Sequence, residues 1–113
     1  MDPSFDEFLH VPARLSIVAL LAPAGWVEFG FLRDTIETSD SALSKQVSAL
    51  ANAGYVAVRK GRDNGVRRTH VRLTRQGREA FQRHAAALEQ IVAVARVSPD
   101  RADLIDRAEQ GQA

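Results

Sequence analysis

The sequence predicts an α+β fold that is mostly α, with four helices and one two-stranded β-hairpin in a chain of 113 residues. Apolar residues recur at helical spacing in four segments, which predicts amphipathic helices. Two strand-like segments flank Asn64-Gly65, a dipeptide that is the strongest short signal of a hairpin turn. The apolar fraction of 45% is enough for the compact core of a single domain.

The first two helices are predicted at residues 11–22 and 28–37. Pro12 suits the first turn of a helix, where its missing N–H leaves no hydrogen bond unmade. The stripes that face inward are Leu15, Val18, Ala19 and Ala22 in the first helix and Phe29, Leu32 and Ile36 in the second. Between the helices a Pro-Ala-Gly turn precedes Trp26 and Val27, which form a short extended link or a minor strand.

A third helix is predicted to begin at a cap provided by Ser39 or Asp40 and to end near Asn52. Its inward-facing residues have helical spacing and are Leu43, Val47 and Leu50. The opposite face carries Ser41, Lys45, Ser48 and Asn52, with Ser44 at its edge and Gln46 on a flank nearer the core. Gly54 suits the left-handed conformation that ends a helix.

Two strands, residues 55–62 and 67–73, are predicted on either side of the turn. The turn position sets a register that pairs Val58 with Val71 and Val56 with Leu73, so one face is apolar. The other face carries Ala57, Arg59, Arg68, His70 and Arg72. That face is expected to meet solvent or DNA.

The last long helix is predicted at residues 74–95, capped by Thr74, with Gly77 tolerated near its start. A coiled-coil-like seam along it consists of Phe81, Ala85, Leu88, Val92 and Ala95. Its end would leave Ile91, Val92 and Val94 exposed in a monomer, which favours a homodimer. The alternative is that the tail around Leu104 and Ile105 folds back over them. The expected domain organisation is an N-terminal extension at 1–8, one domain at 9–95 that includes the dimerisation helix at 74–95, and an acidic tail at 96–113 whose apolar residues are compatible with a short last helix.

Charge is distributed unevenly along the chain. Residues 59–83 contain nine Lys and Arg side chains and two acidic ones, a local charge of +7, whereas the rest of the chain carries −6. A basic zone in an otherwise acidic protein predicts a polyanionic partner. The alternative is a solvated charged face, since a charge run alone is weak evidence.

Several classes of protein are disfavoured by the sequence. No apolar run approaches the roughly 18 residues of a membrane helix, and the acidic N-terminus does not resemble a signal peptide. The absence of cysteine excludes thiolate metal sites and is compatible with a cytoplasmic location. His10, His70 and His84 have no helical ligand spacing, so we expect no metal. No motif indicates an enzyme or a cofactor.

Three stretches, residues 10–15, 39–56 and 68–78, resemble a family of small bacterial and archaeal winged helix-turn-helix transcriptional regulators related to the MarR, ArsR and PadR groups. The most specific features are the Gly54-Tyr55 join and the helix start Leu73-Thr74-x-x-Gly77. Lys60-Gly61 and Arg67-Arg68-Thr69 match the wing pattern of the family. The resemblance covers residues 9–92 and implies a homodimer joined through terminal helices, with two DNA readers facing a palindromic site.

The function expected from the sequence is sequence-specific binding of double-stranded DNA by a homodimeric transcriptional regulator, acting as a repressor. The expected DNA-binding residues lie in the third helix and the hairpin and are Ser41, Ser44, Lys45, Gln46, Ser48, Arg59, Lys60, Arg62, Asn64, Arg67, Arg68, His70 and Arg72. The expected dimer interface is Phe81, Ala85, Leu88, Ile91, Val92 and Ala95. The alternative is a protein-interaction or assembly module without DNA affinity. An effector pocket near Trp26 and Phe31 would be a refinement of the first function.

Overall fold

The computed structural model describes residues 3–96 and 106–108. Its elements, in chain order, are α1 (Pro12–Leu21), β1 (Val27–Glu28), α2 (Phe29–Ile36), α3 (Asp40–Asn52), β2 (Val56–Asp63), β3 (Val66–Leu73) and α4 (Arg75–Ala95). The four helices and the hairpin lie where the sequence predicts them, so the mostly helical α+β fold is confirmed.

The sheet has a third strand. Its order is β1-β3-β2, and β1 pairs antiparallel with β3 through Val27 opposite Val71 and Glu28 opposite His70. Of the two alternatives for the segment before α2, the minor strand is therefore the one observed. The prediction that α2 begins at residue 28 was wrong by one position, because Glu28 is extended and forms the N-cap of the helix.

The hairpin register is as predicted. Val58 lies opposite Val71 and Val56 opposite Leu73, while Asn64 and Gly65 both have positive φ at the turn (52° and 79°). Because side chains alternate across a strand, the hairpin has two distinct faces. One face packs on the core through Val56, Val71 and Leu73, which are almost completely buried.

Helix starts are fixed by local hydrogen bonds. The hydroxyl of Ser39 accepts from the N–H of Ala42 at 3.1 Å, and that of Thr74 accepts from the N–H of Gly77 at 2.9 Å. Each hydroxyl satisfies one of the donors that a helix leaves unpaired at its N-terminus. These caps place the starts of α3 and α4.

The face of α4 that packs on the domain consists of small residues and one histidine: Gly77, Ala80, His84 and Ala87. Phe81 packs partly against the core, and Leu88 is half-buried beside this stripe. From Glu89 to Arg96 every side chain is exposed, including Ile91 (50%), Val92 (49%) and Val94 (74%).

The alternative to a dimer, in which the tail around Leu104 and Ile105 folds back over α4, concerns residues outside the described ones. In the described part of the tail, residues 106–108 are helical and exposed. Across the described ranges, none of the helices combines the length and apolar character required to cross a membrane.

Candidate nucleic-acid interface

The exposed face of α3 is a stripe of short polar side chains. Ser41, Ser44, Lys45 and Ser48 are all exposed and stand at i, i+3, i+4 and i+7, whereas Leu43 and its inward neighbours are buried. Short hydroxyl side chains let the helix backbone approach a groove closely. They donate to or accept from several base edges, and lysine donates to guanine or phosphate.

A groove of about 400 Å³ separates α3 from the hairpin. Ser44, Ser48 and Asn52 line it from the helix, and Val58, Lys60 and Thr69 line it from the strands. The two predicted DNA-binding elements therefore face a common space. We name the hairpin face that borders this groove the inner face.

Beyond the core, the inner face is basic. Lys60 lies opposite Thr69 and Arg62 opposite Arg67, continuing the face that begins with the Val58–Val71 pair. Lys60, Arg62 and Arg67 are exposed, and none of them forms an ion pair within residues 3–96 and 106–108. Their charges are therefore available to phosphates on the side to which α3 presents its serines.

The opposite, outer face of the hairpin is occupied by contacts with the segment around β1. The guanidinium groups of Arg59 and Arg72 lie 4.5 and 5.0 Å from the ring centroid of Trp26, within the range of cation–π contacts. Arg68 donates to Glu28 Oε1 at 2.8 Å and lies 3.9 Å from Asp63. The sequence-predicted DNA-binding arginines are thus divided between two faces, and His70 shares the outer one.

Gln46 is turned toward α1. Its side-chain oxygen accepts from Arg14 Nε at 2.9 Å, and Arg14 also donates to the carbonyl of Phe8 at 3.1 Å. The guanidinium of Arg14 lies 4.3 Å from the centroid of the Phe8 ring. This link between α1 and α3 was missed by sequence reasoning, because the two partners are separated by 32 residues with no recognisable spacing.

A second missed contact lies at the start of α3. Arg33 donates to Asp34 at 2.9 Å and to Asp40 at 2.8 Å. These carboxylates raise the pKa of Arg33, chiefly through the hydrogen bond to Asp34, and the same hydrogen bond lowers the pKa of Asp34. The charge of Arg33 is offset locally, so it contributes less to an anion-binding surface than the unpaired residues of the inner face.

The three histidines do not lie together in one cluster. His70 is in β3, whereas His10 and His84 are in hydrogen-bond contact, although 74 residues separate them. Within the part of the chain that the structure describes, no group of three His, Asp or Glu side chains is placed to hold a metal ion.

The helix-turn-helix of α2 and α3, followed by a basic hairpin and a long helix, defines a winged helix-turn-helix domain. The sequence profile of the winged helix DNA-binding domain family matches residues 13–92. The chain belongs to this family, and the resemblance seen in the sequence is confirmed.

The chain has relatives in sequence and in structure. In sequence, the chain is similar to an uncharacterized protein of Methanocaldococcus jannaschii, with 28% identity over 78 residues, 69% of this chain and 85% of the relative. In structure, it is similar to a transcriptional regulator homologue from Pyrococcus horikoshii OT3, with a TM-score of 0.76, 23% identity, and coverage of 81% of this chain and 91% of that one. The PcaV transcriptional regulator from Streptomyces coelicolor gives a TM-score of 0.69, 21% identity, and coverage of 98% and 85%.

Proposed function

We propose that this protein is a transcriptional regulator that binds double-stranded DNA sequence-specifically as a homodimer and represses by occluding a promoter. The observation that carries the proposal is that the exposed face of α3 and the inner face of the hairpin are oriented toward the same side of the domain. Ser44 and Ser48 of α3 and Lys60 of the hairpin line one groove, and the unpaired cations Arg62 and Arg67 continue the same hairpin face beyond it. The fold relatives described as transcriptional regulators support the same function.

In this mechanism α3 enters the major groove. Ser41, Ser44, Lys45 and Ser48 contact base edges and nearby phosphates. Gln46 contributes less to this contact with DNA, because its side-chain oxygen already accepts a hydrogen bond from Arg14. Short hydroxyls carry little base-specific information, so this helix reads DNA with modest selectivity.

The inner face of the hairpin holds the flanking DNA. Lys60, Arg62 and Arg67 bind phosphates or enter the minor groove, with Asn64 at the tip close to the backbone. On the outer face, Arg59 and Arg72 brace the hairpin against Trp26, and Arg68 braces it against Glu28. These arginines add long-range positive potential, and His70 lies on the same face as a further polar contact for DNA.

Dimerisation through α4 completes the proposal. The interface consists of Phe81, Ala85, Leu88, Ile91, Val92 and Ala95. Its support is the row of apolar side chains that remains exposed at the end of α4. A two-fold dimer presents two α3 helices to the halves of a palindromic site.

The test of the hairpin role compares two arginines on opposite faces. We expect Arg67→Ala to weaken DNA binding and to reduce the slope of log K against log salt by about 1, because one phosphate contact is lost. Arg72→Ala is the matched control, since it removes the same charge from the face that lies on Trp26. Binding is measured by fluorescence anisotropy over a salt series. An unchanged slope for Arg67→Ala, or equal losses for the two variants, contradicts the assigned role of the inner face.

A second candidate function is a protein-interaction or assembly module without DNA affinity. The observation that favours it is the exposure of Ile91, Val92 and Val94 on one helix end. Gel-shift measurements with fragments of the source genome separate the two. Retarded fragments support the regulator, while dimerisation without any retardation supports the assembly module.

A further inference from the structure

The segment before α1 is joined to α4 through a buried histidine. His84 is 0% exposed, and its Nδ1 accepts from the backbone N–H of Asp6 at 2.9 Å. Its Nε2 lies 3.3 Å from Nδ1 of His10. The ring of Phe5 packs against both imidazoles, with centroids 4.8 Å from each. Both imidazoles are therefore part of the contact that holds the N-terminal segment on α4.

The hydrogen bonds determine which ring nitrogen atoms of His10 and His84 carry protons. A backbone N–H can only donate, so Nδ1 of His84 carries no proton, and neutral His84 must be protonated on Nε2. That N–H then donates to Nδ1 of His10, which must also be unprotonated. The arrangement shown is complete only when both imidazoles are neutral.

Adding a proton breaks this arrangement at either ring. A proton on Nδ1 of His84 faces the Asp6 N–H, and a proton on Nδ1 of His10 faces the N–H of His84, so two donors oppose each other in both cases. The environment of His84 also favours its neutral form. Burial, followed by the positive charge of His10, lowers the pKa of His84, and the carboxylate of Asp6 opposes that shift without reversing it.

Asp6, Tyr55 and Arg83 are further charged or titratable groups near this contact. The carboxylate of Asp6 accepts from the hydroxyl of Tyr55 at 2.7 Å and from the N–H of Leu9 at 3.1 Å. Burial, with the hydrogen bond to Asp6, raises the pKa of Tyr55, and the charge of Arg83 on α4 opposes this. Tyr55 therefore stays neutral where histidine titrates, and the histidine pair is the group that responds.

The same segment also reaches α3. Phe8 packs edge-on against Tyr55, with ring centroids 5.7 Å apart, and it holds Arg14 through its ring and its carbonyl. Arg14 in turn binds Gln46 on α3. A continuous set of contacts thus runs from the histidine pair to the helix assigned to the major groove.

We propose that residues 5–10 form a pH-sensitive clasp, in which protonation of the His10–His84 pair releases the segment from α4 and loosens the Arg14–Gln46 contact that positions α3. The effect on DNA rests on the proposed function, whereas the clasp itself does not. Because His84 has a lowered pKa when folded, the unfolded chain takes up a proton first as the pH falls. The stabilisation from this contact is complete above the ordinary histidine pKa of 6.5 and is lost as the pH falls through the pKa of folded His84.

The clasp is tested without DNA by NMR of the full chain labelled with ¹⁵N. Histidine ¹⁵N shifts are followed from about pH 8 to about pH 5, a range that spans histidine titration. We expect His84 to carry its proton on Nε2 at high pH, and the nuclear Overhauser contacts between Phe5 and His84 to disappear as His84 becomes protonated. A proton on Nδ1 at high pH, or contacts that persist after protonation, overturns the clasp.

The coupling to DNA is tested in the His70→Gln background. This substitution removes the histidine of the hairpin, so the histidines that remain in the chain are His10 and His84 of the clasp. In this background we expect the dissociation constant for an operator selected from genomic fragments to rise about fivefold or more on acidification, a typical coupling between sites. Adding Arg14→Ala should weaken binding at high pH and abolish the further loss on acidification, while the titration of His84 is retained.

Two outcomes distinguish the clasp itself from its coupling to DNA binding. An equal pH effect with and without Arg14 overturns the coupling through Gln46. Absence of DNA binding by the unsubstituted chain at every pH overturns the proposed function and the coupling together, and the NMR titration then decides the clasp by itself.

Discussion

Gly77→Ala is expected to destabilise the domain by about 3 kcal/mol or more, at the upper end of the range for overpacked sites. A Cβ at this position would overlap the carbonyl oxygen of Tyr55 and lie 2.9 Å from Cδ1 of Leu73. The carbonyl cannot easily retreat, because it accepts from the N–H of Thr74 at 3.0 Å. We expect the melting temperature to fall by about 10 °C or more, measured by circular dichroism.

Gly25→Ala is the matched control for this substitution. A Cβ there meets no atom within 4 Å, so the change in stability should stay within about 1 kcal/mol. Equal melting temperatures for Gly77→Ala and the unsubstituted chain would show that α4 can move away from the Tyr55 carbonyl without loss.

Ile91→Asp is expected to convert the proposed dimer into a monomer. The side chain is half-exposed on the last third of α4, and a charge there cannot be buried against a second apolar surface without a large desolvation penalty. Affinity for a palindromic site should fall by about a hundredfold or more, because the second half-site is no longer bound intramolecularly. Sedimentation equilibrium reports the oligomeric state, and anisotropy reports the affinity.

The control for the dimer is Gln90→Asp, which adds the same charge at an exposed polar position one residue away. It should leave both oligomeric state and affinity close to those of the unsubstituted chain. A dimeric Ile91→Asp variant would exclude this end of α4 from the interface. A monomeric variant with full affinity would show that DNA binding does not require two copies.

The features predicted best from the sequence are those determined by neighbouring residues. Asn64-Gly65 sets the hairpin register, and the hydroxyls of Ser39 and Thr74 cap the helices that they precede. In each case the signal and the structure that it produces lie within a few residues. The apolar alternation of the hairpin likewise identifies its two faces.

Contacts between distant residues could not be predicted. Arg68 with Glu28, Arg14 with Gln46 and His10 with His84 are joined only by tertiary packing, and no residue spacing indicates them. One available signal was overlooked. The alternation that buries Val56 continues through Val58 to Lys60 and Arg62, so the strand pattern itself shows which basic residues lie on the same face as the core residues.

The sequence motif that contains Gly77 was recognised, but the explanation given for this glycine was wrong. The sequence treats this glycine as tolerated near the start of α4, whereas the structure requires it, because the helix passes directly over the backbone of Tyr55. Thr74 also donates to the carbonyl of Gly54 at 2.7 Å. The Gly54-Tyr55 join and the helix start at Thr74 are therefore two halves of one contact.

The packing of Arg59 and Arg72 on Trp26 has a consequence for the entropy of association. A free two-stranded hairpin samples many orientations, and holding it on DNA would oppose binding through that lost freedom. Here the indole ring and the Arg68–Glu28 pair tie the hairpin to the strand that leads into α2. These contacts hold the orientation of the hairpin in the free protein, so less conformational freedom remains to be lost when the proposed complex with DNA forms.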